Sequence, residues 1–177
     1  MGILHAALLL AAGLLAACAT PAIDPVDEQL DRDTGTTITR LGRPVELLAT
    51  APRGRNADPF AYLAPFETNR VGERRLFLWA SVPGDSAAMP RLHCGELAAS
   101  LEAPLAGGMP TVGMGLTRLP YRALAAWSAV HVIPIDAIWL DCLASDARLE
   151  VEVGEDRFAS DGARSGDLAA FRERVRP

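Results

Sequence analysis

The amino-acid sequence predicts a mainly β or α+β domain, β-sandwich-like, with two short helices in its C-terminal half. Three observations favour this fold class. Short β-branched and apolar stretches alternate with turns that contain Gly and Pro. Residues 74–82 (RRLFLWASV) form the strongest strand pattern in the chain. Helix start signals, at Asp136 and Ser165, come late and follow strand patterns. Together these features are typical of a sheet-based core with helical additions.

In the first half, residues 36–39 are β-branched and predict a strand, and residues 45–49 predict a second after a Gly-Arg-Pro turn. Residues 60–68 alternate in part, and residues 69–73 predict a hairpin connection to the strand at 74–82. Because this last strand has four consecutive apolar residues, we expect it to lie centrally, with both faces covered.

In the second half, residues 92–94 and 96–101 are weaker strand candidates, and residues 104–120 predict a long Gly-containing loop. Residues 121–135 are apolar and predict a strand at their end. Asp136 is the expected N-cap of a helix that ends near Leu143. Residues 148–153 alternate as a half-buried strand does, with Leu, Val and Val inward. Ser165 is expected to cap a last helix, whose buried face is Leu168, Phe171 and Val175.

The N-terminal stretch is an uncharged apolar run that ends at Leu15-Ala16-Ala17-Cys18. The run is short for a transmembrane helix, which needs about 20 residues, and has the length of a signal-peptide core. It resembles the lipobox of bacterial lipoproteins. That resemblance implies a signal peptide over residues 1–17, lipidation of Cys18 and a membrane partner held through the lipid. Since Ala19 rather than Asp follows the cysteine, it also implies the outer membrane, at its periplasmic face.

Residues 18–33 predict a lipidated cysteine followed by an acidic, Pro-containing tether. The segment has few apolar residues and several carboxylates against one Arg, so we expect disorder. The folded part is expected to be one globular β-rich domain over residues 34–177.

Cys94 and Cys142 remain once Cys18 is assigned to the lipid. An even pair in an oxidising compartment predicts a disulfide. The alternative is a pair of buried thiols that pack as small apolar side chains.

Candidate catalytic and metal-binding sets are weak. His93 and His131 join the two cysteines in a nominal zinc set, but the close ligand spacing of zinc sites is missing. A Cys94/His131 dyad is a minor alternative that a disulfide would block. Glu150 and Glu152 fit outward positions on a strand better than a catalytic pair. We therefore expect no cofactor and no metal, and the mildly acidic chain, with net charge −5, argues against a nucleic-acid partner.

A partner groove is the one suggestive feature, because Tyr62, Phe66, Phe77, Trp79 and Trp127 are aromatic and Met109 and Met114 lie in the long loop. Core packing explains the same residues more simply.

Three segments, residues 33–39, 66–72 and 76–79, resemble an uncharacterised group of proteobacterial lipoproteins of no known activity. An anchor, a tether and a globular domain without a catalytic set favour an envelope lipoprotein that binds or supports a periplasmic or outer-membrane protein. An envelope hydrolase with an unrecognised site is the alternative.

Overall fold

The structure is a computed structural model that describes residues 24–51, 59–84, 89–101, 112–124, 128–145, 147–161 and 165–176. Ten strands and two α-helices lie in this part of the chain. The strands are β1 (Val26–Asp31), β2 (Thr36–Leu41), β3 (Val45–Ala49), β4 (Phe60–Arg70), β5 (Glu73–Pro83), β6 (Arg91–Cys94), β7 (Leu97–Ser100), β8 (Ser128–Ile135), β9 (Leu149–Val153) and β10 (Asp156–Ala159). The helices are α1 (Ala137–Leu143) and α2 (Ser165–Val175).

The sheet branches at β4. Along one edge, β4 pairs with β5, which in turn pairs with β8. The other edge of β4 is shared, because β3 pairs with residues 60–63 and β2 with residues 66–69. From β2 the sheet continues to β1, and from β3 it continues through β10, β9 and β6 to β7. Every pairing is antiparallel, and the result is one curled sheet.

The larger hydrophobic cluster lies on the face of the sheet that carries both helices. Leu78, Ala80 and Val82 of β5 point into it, as do Leu168 and Phe171 of α2. These side chains are nearly or fully buried. Burial of the apolar face of α2 against the sheet therefore holds the C-terminal helix in place.

A second, smaller cluster lies on the opposite face. Because side chains alternate along a strand, Phe77 and Trp79 of β5 point there, where Phe66 of β4 joins them. The Phe66 and Phe77 rings stack at 5.3 Å between centroids. Leu116 and Tyr121, which precede β8, cover this cluster. The expectation that β5 is central with both faces covered is confirmed.

The fold class predicted from the sequence is confirmed: the chain is mainly β, with two short helices late in the sequence. The strands belong to one continuous curled sheet, whereas a sandwich has two sheets. Both helices lie where they were expected, although Ser165 is the first residue of α2 and not the cap before it. The carboxylate of Asp136 accepts the Trp139 N–H and caps α1, and the buried face of α2 is Leu168, Phe171 and Val175.

The predicted tether is wrong for its second half. Residues 26–31 are not disordered but form β1, which pairs with β2 from Val26↔Leu41 to Asp31↔Thr36. The prediction of disorder followed from the charge and low apolar content of the segment. Its side chains do contribute little burial, because only the first and last side chains of β1 are buried. Backbone pairing along β2 holds the strand, and such pairing leaves little trace in the side-chain pattern.

The boundary of the folded domain therefore lies at or before residue 26, not at residue 34. The predicted signal peptide, Cys18 and the first residues of the tether lie outside the described residues. Within the described ranges, no helix is long and apolar enough to cross a membrane.

Candidate functional site

A strap, residues 112–122, crosses the face of the sheet that carries the smaller cluster, here called the outer face, and reaches β1. Its main attachment is Asp31, whose side chain is only 8% exposed. One carboxylate oxygen of Asp31 accepts both the backbone N–H and the hydroxyl of Thr117, at 2.8 and 2.9 Å. The other oxygen accepts the N–H groups of Asp33 and Thr34. The Thr117 N–H is the largest of the effects that hold the pKa of Asp31 below its usual value, and partial burial opposes it.

Further bonds fasten the strap along its length. The Thr36 hydroxyl donates to the Gly115 carbonyl at 2.7 Å, and the Arg40 guanidinium donates to the Pro120 carbonyl. At the far end, the Tyr121 hydroxyl donates to the Leu41 carbonyl at 2.9 Å, and burial raises the pKa of this phenol. Because these bonds join distant parts of the chain, the strap has a defined position over the sheet.

A cleft opens between the strap and the end of β1, with a volume of about 520 Å³. We call it the arginine cleft because three of its lining residues are arginines. Its lining consists of Gln29, Leu30, Asp31, Arg32, Asp33, Ile38, Thr117, Arg118, Leu119, Pro120 and Arg122. All three guanidinium-bearing residues are exposed, whereas Ile38 is buried in the floor. The cleft therefore combines a positive rim with an apolar floor.

An apolar groove of about 650 Å³ lies where β5 and β8 meet the end of α2. It is lined by Glu67, Arg74, Arg75, Leu76, Phe77, Gly113, Pro134, Ile135, Ala137 and Val175. The charged groups in its wall already have partners. Arg74 pairs with the buried Glu67 and donates to the Val175 carbonyl at 2.6 Å, and Arg75 pairs with Glu73. Among these lining residues, no charged group converges on the groove without a partner.

The disulfide predicted from the cysteine pair is present in the structure. Cys94 and Cys142 are bonded, with their Cα atoms 6.1 Å apart. The bond joins the end of β6 to the last turn of α1, and Cys94 is fully buried. Since both sulfurs are in this bond, neither is a thiolate ligand or a nucleophile. Among the described residues, no group of three or more His, Cys, Asp or Glu could hold a metal ion.

The outward face of β9 carries charged pairs. Glu152 contacts Arg157 at 3.0 Å, and His93 Nε2 lies 3.4 Å from the same carboxylate. Glu150 lies 3.5 Å from Arg148 and 3.9 Å from Arg157. These outward positions agree with the sequence prediction, and the ladder is a cross-strand set of ion pairs on a partly solvated surface.

The aromatic residues that suggested a partner groove pack mainly in the smaller hydrophobic cluster, on the outer face of the sheet. Phe66, Phe77 and Trp79 are buried there, and Tyr62 and Met114 pack at its margin. Trp127 and Met109 lie outside the described residues. The indole N–H of Trp79 and the hydroxyl of Ser81 are buried and have no hydrogen-bond partner among the described residues.

Sequence reasoning did not find the arginine cleft. Its arginines come from residue 32 and from the long loop, which are far apart in the chain and carry no motif. The sequence carried no signal for it, because residues 18–33 were expected to be a disordered tether.

The fold and its surface features define a mainly β domain with a strapped outer face, a cleft rimmed by arginines and an apolar groove. No protein-family model, no curated protein and no solved structure matches the chain.

Proposed function

We propose that the protein is a lipid-anchored envelope lipoprotein and acts as a non-enzymatic binding or accessory module. Its place is the periplasmic face of the outer membrane. The observation that carries the proposal is the uncharged apolar run that ends at Leu15-Ala16-Ala17-Cys18. The resemblance of residues 33–39, 66–72 and 76–79 to uncharacterised proteobacterial lipoproteins agrees with it.

The position of β1 makes the anchor short. Seven residues, 19–25, separate Cys18 from the first strand residue, Val26, so eight Cα-to-Cα steps join the two. Whatever the conformation of the chain there, eight steps span at most about 29 Å. An acylated Cys18 would therefore keep the domain close to the membrane surface.

The apolar groove supports binding over catalysis. A catalytic cleft holds polar groups that converge on the substrate, whereas an apolar groove without them suits the side chains of a partner. Glu67 and Arg74 are engaged with each other and with the end of α2, so they stabilise the groove wall. The proposed partner is a periplasmic or outer-membrane protein.

Replacement of the anchor residue tests the proposed lipidation. Cys18→Ser should abolish incorporation of labelled palmitate and release the protein from the outer-membrane fraction or leave its precursor uncleaved. Cys142→Ser is the matched control, because it also removes one cysteine but should keep the label. Palmitate incorporation into Cys18→Ser would refute the anchor.

Photo-crosslinking in living cells tests the binding role. A crosslinking amino acid at Ala137, an exposed residue of the groove, should give a discrete protein adduct. The same amino acid at Leu48 is the control, because this exposed residue of β3 does not line the groove and pairs with Phe60, at the other end of β4. Equal adducts at both positions, or none at Ala137, would contradict the groove as a binding surface.

A further inference from the structure

We propose that the arginine cleft is a binding site for a phosphate-bearing ligand with an apolar portion. The guanidinium groups of Arg32, Arg118 and Arg122 would hold the phosphate. Guanidinium groups suit this task because their planar forks donate paired hydrogen bonds to phosphate oxygens. The inference does not depend on the lipid anchor, since residues 29–38 and 117–122 supply the whole lining.

The bond between Asp31 and Thr117 places two of the arginines in the same cleft. Arg32 follows Asp31 directly, and Arg118 follows Thr117 directly. The two hydrogen bonds from Thr117 to the Asp31 carboxylate therefore hold both arginines at the rim of one cleft, on facing segments. Cations that line one cleft repel each other, and a bound anion between them reduces that repulsion.

None of the three cleft arginines forms an ion pair with a described carboxylate. The structure describes fourteen arginines, and eight of them form ion pairs with described carboxylates. Of the six that form none, three line this cleft: Arg32, Arg118 and Arg122. Their charge is thus available to a ligand.

The carboxylates of the cleft do not occupy these guanidinium groups. Both oxygens of Asp31 accept hydrogen bonds from Thr117, Thr34 and Asp33. The side chain of Asp33 is exposed and makes no ion pair with a described residue. With three cations and two carboxylates, the lining keeps a net positive charge, although the whole chain is acidic.

The rest of the lining indicates the second part of the ligand. Leu30 is 56% exposed in the cleft, an unusual position for a large apolar side chain on an acidic strand. Ile38 and Leu119 add further apolar surface. The volume, about 520 Å³, lies within the range of small-ligand sites. A phosphate next to an apolar or glycerol-like portion, as in a lipid headgroup or a soluble phosphate ester, fits this surface.

The experiment is an NMR titration of the whole chain purified in uncharged detergent. The probes are inorganic phosphate, glycerol 3-phosphate and phosphatidylglycerol added to the micelles. We expect saturable shifts of the guanidinium signals of the cleft arginines and of the Thr117 amide. Arg118→Gln combined with Arg122→Gln should weaken binding by about tenfold or more. Arg32→Gln serves as a second, independent variant from the facing segment.

The matched control is Arg43→Gln combined with Arg91→Gln. Both control residues are exposed arginines that form no ion pair with a described residue, and replacing two arginines changes the net charge by the same amount. Binding of glycerol 3-phosphate that only the cleft variants weaken would support the proposal and indicate a soluble ligand. If phosphatidylglycerol binds, glycerol 3-phosphate does not, and only the cleft variants weaken that binding, the proposal is supported and the ligand is a lipid headgroup. No saturable binding of any probe, or equal weakening in the control, would overturn it.

Discussion

The Asp31 carboxylate accepts two hydrogen bonds from Thr117, a residue 86 positions further along the chain. This contact fastens the strap to the end of the first strand. It also closes one side of the arginine cleft, so a single pair of residues stabilises the outer face and shapes the candidate binding site.

Asp31→Asn should destabilise the protein in a pH-dependent way. The pKa of Asp31 is lowered in the folded state, so its ionised form adds stability that is present above the usual value of 3.8. That contribution is lost as the pH falls through the lower, folded-state pKa. In urea unfolding experiments, we expect the substitution to lower the free energy of unfolding by about 2 kcal/mol at pH 7, and by less at pH 3.

Asp33→Asn is the control for this prediction, because the Asp33 carboxylate is exposed and accepts no hydrogen bond from a described residue. It should leave the free energy of unfolding nearly unchanged at both pH values. A cost of Asp31→Asn that is the same at pH 3 and pH 7 would show that the ionised carboxylate is not what holds the strap.

Removal of β1 should weaken the fold. A chain that begins at Thr34 loses the pairing with β2, the buried side chain of Val26 and the Asp31 bonds. The free energy of unfolding should fall by about 3 kcal/mol or more, which corresponds to a fall of roughly 10 °C in melting temperature. Calorimetry against a chain that begins at Ala19 measures it. A chain that begins at Asp24 is the control and should melt with the longer one; an unchanged melting temperature without β1 would refute its role.

Reduction of the Cys94–Cys142 disulfide should lower stability substantially. The bond joins residues 48 positions apart, and the chain-entropy model assigns such a loop about 4 kcal/mol. Urea unfolding with and without reductant gives the difference. Thiol labelling of the unfolded, unreduced domain should find neither Cys94 nor Cys142 reactive. Two reactive thiols there would show that the pair is not bridged in the protein.

Arg74→Ala should destabilise the protein more than loss of a surface ion pair. Its partner Glu67 has a side chain only 7% exposed, and without Arg74 that carboxylate lacks its ion-pair partner. Arg74 is itself 33% exposed, so water screens the pair, and the substitution should lower the free energy of unfolding by about 2 kcal/mol. Arg176→Ala breaks the exposed pair with Glu173 and should cost no more than about 0.5 kcal/mol. Equal costs in urea unfolding would contradict this reading.

Local patterns predicted several elements well. The apolar run of β5 indicated a central strand, and Asp136 indicated the start of α1. These features depend on side chains close together in the sequence, where periodicity and capping act. The disulfide followed from the number of cysteines, although sequence alone left a pair of buried thiols open.

The sequence by itself determined the mainly β class, the two late helices and the even cysteine pair, because each follows from local periodicity, capping or counting. Only the tertiary structure decided that an acidic segment becomes β1, since its stability comes from backbone pairing with β2. It also decided which arginines share a cleft. Arg32 and Arg118 line the same cleft because Asp31 and Thr117 form hydrogen bonds, and contacts between residues so far apart in sequence depend on the path of the whole chain.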